Sequence, residues 1–408
     1  MRILIVTQYY WPENFRINDL VTDLVRRGHQ VTVLTGVPNY PSGVVHAGFS
    51  RSPSEYSAHE GADIVRVPMV TRGKGGLQLV LNYISFALAA STVGAYRLRK
   101  HDFDSVFVFE PSPITVGLPA VLLRRLKKAP LIFWVLDLWP DTLQAIGVVR
   151  SKFILGVVGK LVSFIYKRCD LVLGQSKSFL SHIRNYSGHD RVEYFPGWAE
   201  SVFQNGQVGL AKPKSAQCQL NVMFAGNVGE AQDFPAILAA AELLKDDSSI
   251  HWTIVGDGRL SEWLENEVNQ RGLSRSLTLA GRHPVEKMPE FFQQADTLLV
   301  SLKDEPIFSM TIPGKLQAYL MAGKPILAML NGEGARIVTE SGCGLACDAG
   351  NGQCLADAVL KLMQMSDEER QVMGDRGREL SVREFDRDML ISRLENWMVQ
   401  LSKDNVVK

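Results

Sequence analysis

The sequence predicts an α/β protein built from two Rossmann-like, doubly wound domains in tandem. The chain has 408 residues, more than the roughly 250–300 that one hydrophobic core supports. Hydrophobic residues make up 46% and charged residues 21%, as is typical of globular proteins. Short apolar runs alternate with stretches of helical periodicity in both halves, which indicates parallel sheets covered by helices on both faces.

The first half opens with a βαβ unit. An apolar run at 3–6 predicts a strand, apolar residues at helical spacing over 17–25 predict a helix, and 31–34 predicts the next strand. Further strands are predicted at 63–67, 105–109, 131–136 and 171–174. Helices are predicted between them at 77–99, 113–126, 153–167 and 176–187.

A polar stretch at 200–219 predicts a linker before a second alternation. Strands are predicted there at 220–225, 251–255, 277–279, 296–300, 325–329 and 344–346. Helices are predicted at 234–245, 259–271, 286–293, 313–322, 334–340, 353–364, 367–381 and 386–402. We therefore expect an N-terminal domain over 1–199 and a C-terminal domain over 220–385. The last helix, about 386–408, is expected to return to the N-terminal domain.

Charge is distributed unevenly, with +8 over residues 1–200 and −7 over residues 201–408. A basic half indicates an anionic partner, either a nucleic acid or a phosphate-bearing membrane, although uneven surface decoration gives the same count. The five cysteines form no CxxC pair, which argues against a disulfide framework or a zinc site. The chain starts on an apparent strand without signal-peptide features, so we expect a cytoplasmic protein.

Two apolar helices of the first half are candidates for membrane contact. Residues 77–96 contain no charged residue, but their polar side chains make a poor membrane span. Basic residues flank the first helix and punctuate the second, at 150–168, as in helices that lie on anionic membranes. The alternative is that both are ordinary sheet-covering helices.

In the second half, the segment 309–325 carries the sharpest candidate site. Pro313 stands where a first helical residue is expected and Gly323 where the helix should end. The free N–H groups and dipole of such a helix start can hold a diphosphate, to which Lys315 adds positive charge. Gln317 can bind a sugar hydroxyl.

Glycine-bearing loops follow neighbouring strands and are expected at the same sheet edge. Glycine allows a ligand to approach the backbone closely, although the more common role of any single glycine is to make a tight turn. Arg282 is a candidate phosphate or base contact, and Glu333 a candidate hydroxyl contact. The predicted donor and phosphate site comprises Arg16, Gly226, Asn227, Arg282, Ser309, Thr311, Ile312, Lys315, Gln317 and Glu333.

These segments resemble family 4 glycosyltransferases. The resemblance rests on 313–325 and 224–232, and on Trp11–Arg16, Arg27–His29, Pro38–Pro41 and Asp137–Pro140. It is strongest to WbuB-like enzymes, which build bacterial surface polysaccharides. It implies a GT-B fold with two domains facing each other across a cleft, and a nucleotide-sugar donor held mainly by the second domain. It also implies retention of anomeric configuration, no metal, and a lipid-linked acceptor approached from the first domain.

The sequence departs from that family at two places. Many members have two glutamates eight positions apart, where this chain has Ser309 and Gln317. Asn227 and Gln232 replace the Arg and Lys common after the first strand of the second domain. Phosphate binding is therefore expected to depend on Lys315 and its helix start, helped by Arg16 or Arg282.

In the first domain, Glu110 and Asp137 each follow a predicted strand and are the predicted catalytic residues. Asp137 can orient the acceptor hydroxyl or stabilise positive charge at the sugar, or it can simply cap the following helix. The departing phosphate can itself take the proton, so a dedicated base is not required. Asn14, Asn39 and Tyr40 are expected on the acceptor side. Arg16 is expected to contact a pyrophosphate, unless it forms a surface ion pair.

The predicted function is retaining transfer of an N-acetylated hexosamine or deoxyhexosamine from a UDP-sugar to a lipid-pyrophosphate-linked saccharide. We expect this step to belong to O-antigen or capsule-type synthesis on the inner face of the cytoplasmic membrane. No metal, no other cofactor and no nucleic acid is expected. The alternatives are a sugar-nucleotide epimerase of the same architecture and a non-catalytic membrane-binding module.

Overall fold

The computed structural model describes residues 1–73, 75–145, 147, 149–204 and 219–406. The chain divides into two compact units. The N-terminal unit comprises Met1–Pro196 and Asp388–Lys408, and the C-terminal unit comprises Gly197–Arg387. Both are α/β, as the alternating sequence pattern predicts.

The sheet of the N-terminal unit has eight strands in the order β3-β4-β2-β1-β5-β6-β7-β8. All neighbouring pairs are parallel except β3 with β4. The strands are β1 (Arg2–Val6), β2 (Gln30–Gly36), β3 (Ala58–His59), β4 (Ala62–Val67), β5 (Ser105–Glu110), β6 (Leu131–Val135), β7 (Leu171–Gly174) and β8 (Val192–Tyr194). Strand order reverses between β1 and β5, where ligands bind in such sheets.

Helices cover this sheet: α1 (Arg16–Arg26), α2 (Ala47–Arg51), α3 (Gly76–Ala89), α4 (Ala95–Arg97), α5 (Gly117–Lys127), α6 (Asp141–Ala145), α7 (Lys152–Tyr166) and α8 (Lys177–Ser187). A π-turn at Ala90–Gly94 joins α3 to α4. Among the described residues, Gly76–Arg97 is the one helical stretch long and apolar enough to cross a membrane, and 28% of its apolar window is buried. Composition alone is weak evidence for a span.

Apart from the exposed Arg2 at the start of β1, the strands β1 and β6 are buried apolar runs, as a parallel sheet covered on both faces requires. β6 (Leu131–Val135) is buried at all five positions. The strands β3 and β8 and the helices α2 and α6 were not predicted. Each is five residues or shorter, too short for periodicity to show.

The C-terminal unit contains a six-stranded parallel sheet in the order β11-β10-β9-β12-β13-β14. Its strands are β9 (Leu220–Ala225), β10 (Ile250–Val255), β11 (Leu277–Gly281), β12 (Thr297–Ser301), β13 (Ile326–Met329) and β14 (Gly344–Cys347). Its helices are α9 (Ser201–Gln204), α10 (Phe234–Leu243), α11 (Ser261–Gln270), α12 (Met288–Gln294), α13 (Pro306–Met310), α14 (Gly314–Ala322), α15 (Glu333–Ser341), α16 (Gly352–Gln364) and α17 (Asp367–Glu384).

Two sequence expectations about this unit need correction. Helix α14 begins at Gly314, so Pro313 is the residue before the helix rather than its first residue. Gly323 does end the helix, in the left-handed conformation with φ of 66°. Helix α9 occupies Ser201–Gln204, at the start of the expected linker. The rest of that linker, 205–218, lies outside the described residues.

The last helix, α18 (Arg387–Val406), belongs to the N-terminal unit from Asp388 onward. Glu395 on α18 accepts from Arg27 at 2.6 Å and pairs with the ring of His29 at 2.6 Å. Arg393 donates to the carbonyl of Tyr194 at 2.6 Å. The hydrogen bonds of Arg393 and Glu395 therefore hold α18 against the N-terminal unit.

Candidate active site

The loops that follow β9, β10 and β11 form one continuous backbone edge in the C-terminal unit. The N–H of Gly226 donates to Val255 at 2.8 Å, and the N–H of Gly256 donates to Gly281 at 2.8 Å. Gly256 has φ of 139°, and a Cβ there would lie 1.9 Å from the carbonyl oxygen of Gly226. Only glycine fits this close approach of two loops.

Lys315 lies directly against this edge. A Cβ added to Gly226, whose φ is 142°, would meet Lys315 Cε at 2.2 Å. The Lys315 ammonium sits 3.7 Å from the ring centroid of Phe224, a cation–π contact. Within the described ranges no carboxylate lies in ion-pair distance of it, and burial lowers the pKa of Lys315 to about 7. Because no carboxylate balances its charge, Lys315 is suited to pair with an anionic ligand.

A buried tyrosine, Tyr319, holds α14 against the end of β9, next to Gly226. The hydroxyl of Tyr319 accepts from the N–H of Ala225 at 2.9 Å and donates to the carbonyl of the same residue at 3.1 Å. This pair of bonds ties α14 to the end of β9. The first N–H groups of α14 have no carbonyl partner in their own helix and carry the positive end of its dipole. Together with Lys315 they form a site suited to a diphosphate.

Gln317 is buried, with 1% of its surface exposed. Its amide nitrogen, in the orientation that satisfies its surroundings, donates to the carbonyls of Gly314 at 2.9 Å and Pro313 at 3.1 Å. The side chain thus folds back on its own helix. Only its carbonyl oxygen remains for the sugar hydroxyl that the sequence analysis assigned to it.

The hydroxyls of Ser309 and Thr311 donate hydrogen bonds to backbone carbonyls of α13, a short helix that was not predicted. Ser309 donates to the carbonyl of Pro306 at 2.7 Å, and Thr311 donates to the carbonyl of Ile307 at 2.9 Å. The Ile312 side chain is buried, so this residue can offer a ligand only its backbone.

The remaining donor-side candidates are dispersed along the same unit. Glu333 begins α15, is 6% exposed and pairs with Arg336 at 2.9 Å. A Cβ on Gly332 would lie 2.0 Å from the carbonyl oxygen of Ser309, which places Glu333 beside the segment leading to α14. Asn227 and Arg282 are exposed in the loops after β9 and β11. Among the described residues, Arg282 has no hydrogen-bond or ion-pair partner.

In the N-terminal unit, Glu110 ends β5 and Asp137 follows β6, so both lie at the carboxyl edge of the sheet. Glu110 is fully buried, and neither of its carboxyl oxygens has a hydrogen-bond partner among the described residues. Burial, and then the charge of Asp137, raise the pKa of Glu110 well above its ordinary value. Burial also raises the pKa of Asp137 to about 7. The pair therefore does not carry two full charges at neutral pH.

The geometry gives no support to Asp137 as a helix cap. The helix after it, α6, begins at Asp141. Across the part of the chain that the structure describes, no N–H donates to the Asp137 carboxylate. Its side chain remains available to a ligand.

Aromatic residues that the sequence analysis did not select surround the two carboxyls. The hydroxyl of Tyr166 and the indole N–H of Trp139 are buried without a partner in the described ranges. Burial raises the pKa of Tyr83, the Arg72 cation opposes that rise, and the charge of Asp137 adds to it. The sequence indicated only that Tyr83 belongs to an apolar helix. That pattern does not show which residues of the helix face the protein interior.

The predicted acceptor-side residues form an ordered loop near β1. Glu13 accepts from the N–H groups of Asn39 and Tyr40, both at 2.6 Å. Asn39 is buried and accepts from the N–H of Arg72 at 2.7 Å, so its side chain supports the loop. Tyr40 is 41% exposed. Asn14 is exposed beside this loop, and Arg16 is the first residue of α1.

Two Rossmann-like units in one chain, each built on a sheet of mainly parallel strands, are the architecture of the GT-B class of glycosyltransferases. Residues 14–198 match the glycosyl transferase 4-like domain, and residues 211–380 match the glycosyl transferases group 1. These matches span most of both units. The chain belongs to the family 4 glycosyltransferases.

Relatives agree with this assignment. The chain is 28% identical to the putative colanic acid biosynthesis glycosyl transferase WcaI of Escherichia coli, over 79% of this chain and 82% of WcaI. It is also 28% identical to the probable glycosyltransferase WbjE of Pseudomonas aeruginosa, over 60% of this chain and 64% of WbjE. Anabaena HepE, solved with UDP and glucose, shares the fold with a TM-score of 0.66, 14% identity and coverage of 98% and 99%.

Proposed function

We propose that this protein moves a sugar from a UDP-sugar to a lipid-pyrophosphate-linked saccharide, with retention of configuration, in O-antigen or capsule-type polysaccharide synthesis. The transferred sugar is an N-acetylated hexosamine or deoxyhexosamine, as the WbuB-like resemblance implies. The observation that carries the proposal is the contact between Lys315 and Gly226 beside the start of α14. The name of WcaI supports the polysaccharide role, and the UDP bound by HepE supports the donor.

The donor diphosphate binds at the N–H groups that open α14 and at Lys315. The leaving UDP gains negative charge as the glycosidic bond to phosphate breaks, so a cation there stabilises the transition state more than the ground state. An arriving diphosphate raises the lowered pKa of Lys315 and recharges it. In this proposal the positive charge of Lys315 lies beside the diphosphate on which the leaving UDP develops negative charge.

The acceptor hydroxyl binds at Asp137, and Glu110 remains protonated beside it. A carboxylate at Asp137 stabilises positive charge on an oxocarbenium-like sugar. The departing phosphate takes the hydroxyl proton, so neither carboxyl needs to act as a dedicated base. The reaction uses no metal and no other cofactor in this proposal.

We place the enzyme at the inner face of the cytoplasmic membrane, bound through its N-terminal unit. Helix α5 contacts both α3 and α7. The apolar residues exposed on α3 and α7 include Leu77, Val80, Leu81, Ile84, Leu88, Phe153, Ile154 and Val157. Lys152 and Lys160 are exposed on α7, as suits an anionic membrane surface.

The proposal is tested by incubating the purified protein with a panel of UDP-sugars and a short lipid-diphosphate saccharide. We expect a new glycosidic bond with the donor's anomeric configuration, determined by NMR. Rapid epimerisation of UDP-N-acetylglucosamine without an acceptor would support the epimerase instead. Unchanged thermal stability across UDP-, GDP- and dTDP-sugars would support a non-catalytic module, since a ligand of the native state raises apparent stability.

Membrane binding is tested separately by sedimentation with anionic vesicles. Leu77→Ser together with Phe153→Ser should release the protein from vesicles of phosphatidylglycerol, because both side chains are exposed and apolar. The matched control is Val372→Ser, which removes an exposed apolar residue from α17. Equal sedimentation of all variants would place the membrane contact elsewhere.

A further inference from the structure

The N-terminal unit contains a half-buried cation, Arg72, that has no counterion among the residues the structure describes. The N–H of Arg72 donates to Asn39 Oδ1 at 2.7 Å, which fixes its backbone. Its guanidinium donates to the hydroxyl of Tyr9 at 3.3 Å and lies 5.3 Å from the ring centroid of Tyr40. No carboxylate among the described residues lies within ion-pair distance of Arg72. Aromatic contacts replace only part of the hydration that burial removes, so this site favours an anionic ligand.

The aromatic surroundings of Arg72 are held rigidly. Tyr9 donates to Asn82 Oδ1 at 3.2 Å, and Gln8 donates to the same oxygen at 2.7 Å. Tyr9 and Tyr40 have ring centroids 5.2 Å apart. Because these partners are fixed by one another, the guanidinium is positioned before any ligand arrives.

Arg72 also lies between two surfaces of different chemistry. It lies four residues before α3 (Gly76–Ala89), whose outer side exposes the apolar residues Leu77, Val80 and Leu81. The inner side of α3 carries the buried Tyr83, whose ring centroid lies 6.2 Å from that of Trp139, two residues after Asp137. A ligand that is apolar at one end, carries phosphate in the middle and offers a hydroxyl at the other matches this order.

We propose that Arg72, with Tyr9 and Tyr40, binds the diphosphate of the lipid-linked acceptor. The apolar chain of the lipid lies along the outer side of α3, and the acceptor saccharide extends toward Asp137. A guanidinium is suited to this ligand because its planar N–H groups pair with two phosphate oxygens at once. This inference rests on the proposed function and names the residues that recognise its acceptor.

The test measures binding of geranyl diphosphate by titration calorimetry in the absence of any donor. Arg72→Gln should weaken this binding by about 10–100-fold, the usual effect of losing a charge-assisted hydrogen bond. The affinity of Arg72→Lys should lie between those of wild type and Arg72→Gln, because lysine keeps the charge and loses the planar pair of N–H donors. The control Arg125→Gln removes an exposed arginine of α5 and should change nothing. Unchanged UDP binding by every variant shows that the fold is intact.

Each other result overturns the inference. If wild type does not bind geranyl diphosphate, or Arg72→Gln binds it normally, Arg72 is not an acceptor site. If Arg72→Gln weakens UDP binding as much as it weakens geranyl diphosphate binding, Arg72 serves the donor diphosphate. If it weakens binding to phosphatidylglycerol vesicles as much, Arg72 is a general contact for lipid headgroups. The proposed function fails separately, if wild type binds geranyl diphosphate through Arg72 yet transfers no sugar.

Discussion

The carboxyl edges of the two sheets carry opposite chemistry. The edge of the N-terminal unit carries two carboxyls, Glu110, which is fully buried, and Asp137, which is partly exposed. At the edge of the C-terminal unit, glycine loops expose backbone and a lysine reaches Gly226. The same doubly wound architecture therefore presents carboxyl groups at the sheet edge of one unit, and backbone N–H groups with a lysine at the sheet edge of the other.

Burial moves the key groups of both units toward neutrality. It raises the pKa of Asp137 to about 7 and lowers the pKa of Lys315 to about 7. In each case the charged form is disfavoured until a partner of opposite charge arrives. Asp137 and Lys315 therefore each gain charge when a group of opposite charge binds beside them.

The largest effect should come from Asp137→Asn, which tests the carboxyl half of the comparison. The substitution keeps the shape and removes the charge that stabilises the sugar cation. We expect kcat to fall by about 10²–10³-fold, the usual effect of losing one group that stabilises charge in the transition state. Single-turnover transfer assays measure this, and UDP affinity should stay unchanged.

Asp190→Asn is the matched control, because Asp190 is exposed in the same unit. It should leave kcat unchanged. If Asp137→Asn retains full kcat, the carboxyl edge does not take part in transfer.

Lys315→Ala tests the anion half. UDP binding should weaken by about 10–100-fold, since the lost contact is a charge-assisted one, whereas uridine binding should change little. Lys361→Ala, at an exposed lysine of α16, is the control. Equal losses for UDP and uridine would remove the phosphate role from Lys315.

The same lysine predicts a pH dependence. Free Lys315 titrates near pH 7, and bound diphosphate favours its protonated form, so UDP binding takes up a proton above pH 7. UDP affinity should therefore decrease as pH rises from 7 to 9, and this dependence should disappear in Lys315→Ala. Calorimetry in buffers of different ionisation enthalpy measures the proton uptake. Identical pH profiles for the two proteins would contradict it.

Gly226→Ala tests whether UDP binding depends on the close contact between Gly226 and Lys315. The new methyl would lie 2.2 Å from Lys315 Cε, so the lysine must move, and UDP affinity should fall by about tenfold. Gly272→Ala shares the positive φ, at 69°, but its Cβ meets nothing within 4 Å. That control should cost about 1 kcal/mol of stability without affecting UDP. Equal affinities would show that the Gly226 contact is not needed.

The smallest effect is expected away from both edges, at the return of α18. Glu395→Gln weakens the contacts with Arg27 and His29 and should lower the free energy of unfolding by about 1 kcal/mol. Asp388→Asn alters an exposed partner of the same Arg27 and should cost less. Urea unfolding measures both, and an equal cost would mean that burial of Glu395 adds nothing.

Most of the fold could be predicted because apolar periodicity is a local signal. The strands β7 and β9 were predicted with the bounds that the structure has, at Leu171–Gly174 and Leu220–Ala225. The helix α13, at Pro306–Met310, was missed because five residues hold little more than one turn. Its absence from the prediction also hid the hydrogen bonds of Ser309 and Thr311.

The candidate site was only partly predictable. The contact of Gly226 with Lys315 and the edge positions of Glu110 and Asp137 follow from the rule that loops after parallel strands meet. The inward turn of Gln317 depends on a side-chain rotamer, which no sequence pattern reports. The surroundings of Arg72 come from residues far apart in the chain, so the sequence indicated it only as one of the basic residues that flank the first candidate helix for membrane contact.

The most direct test of the account is a crystal structure of the protein with UDP. We predict that the diphosphate contacts the N–H groups opening α14 and the ammonium of Lys315, beside Gly226. A diphosphate bound instead at the carboxyl edge of the N-terminal unit, with Lys315 free of phosphate, would contradict the assignment of donor and acceptor to the two units.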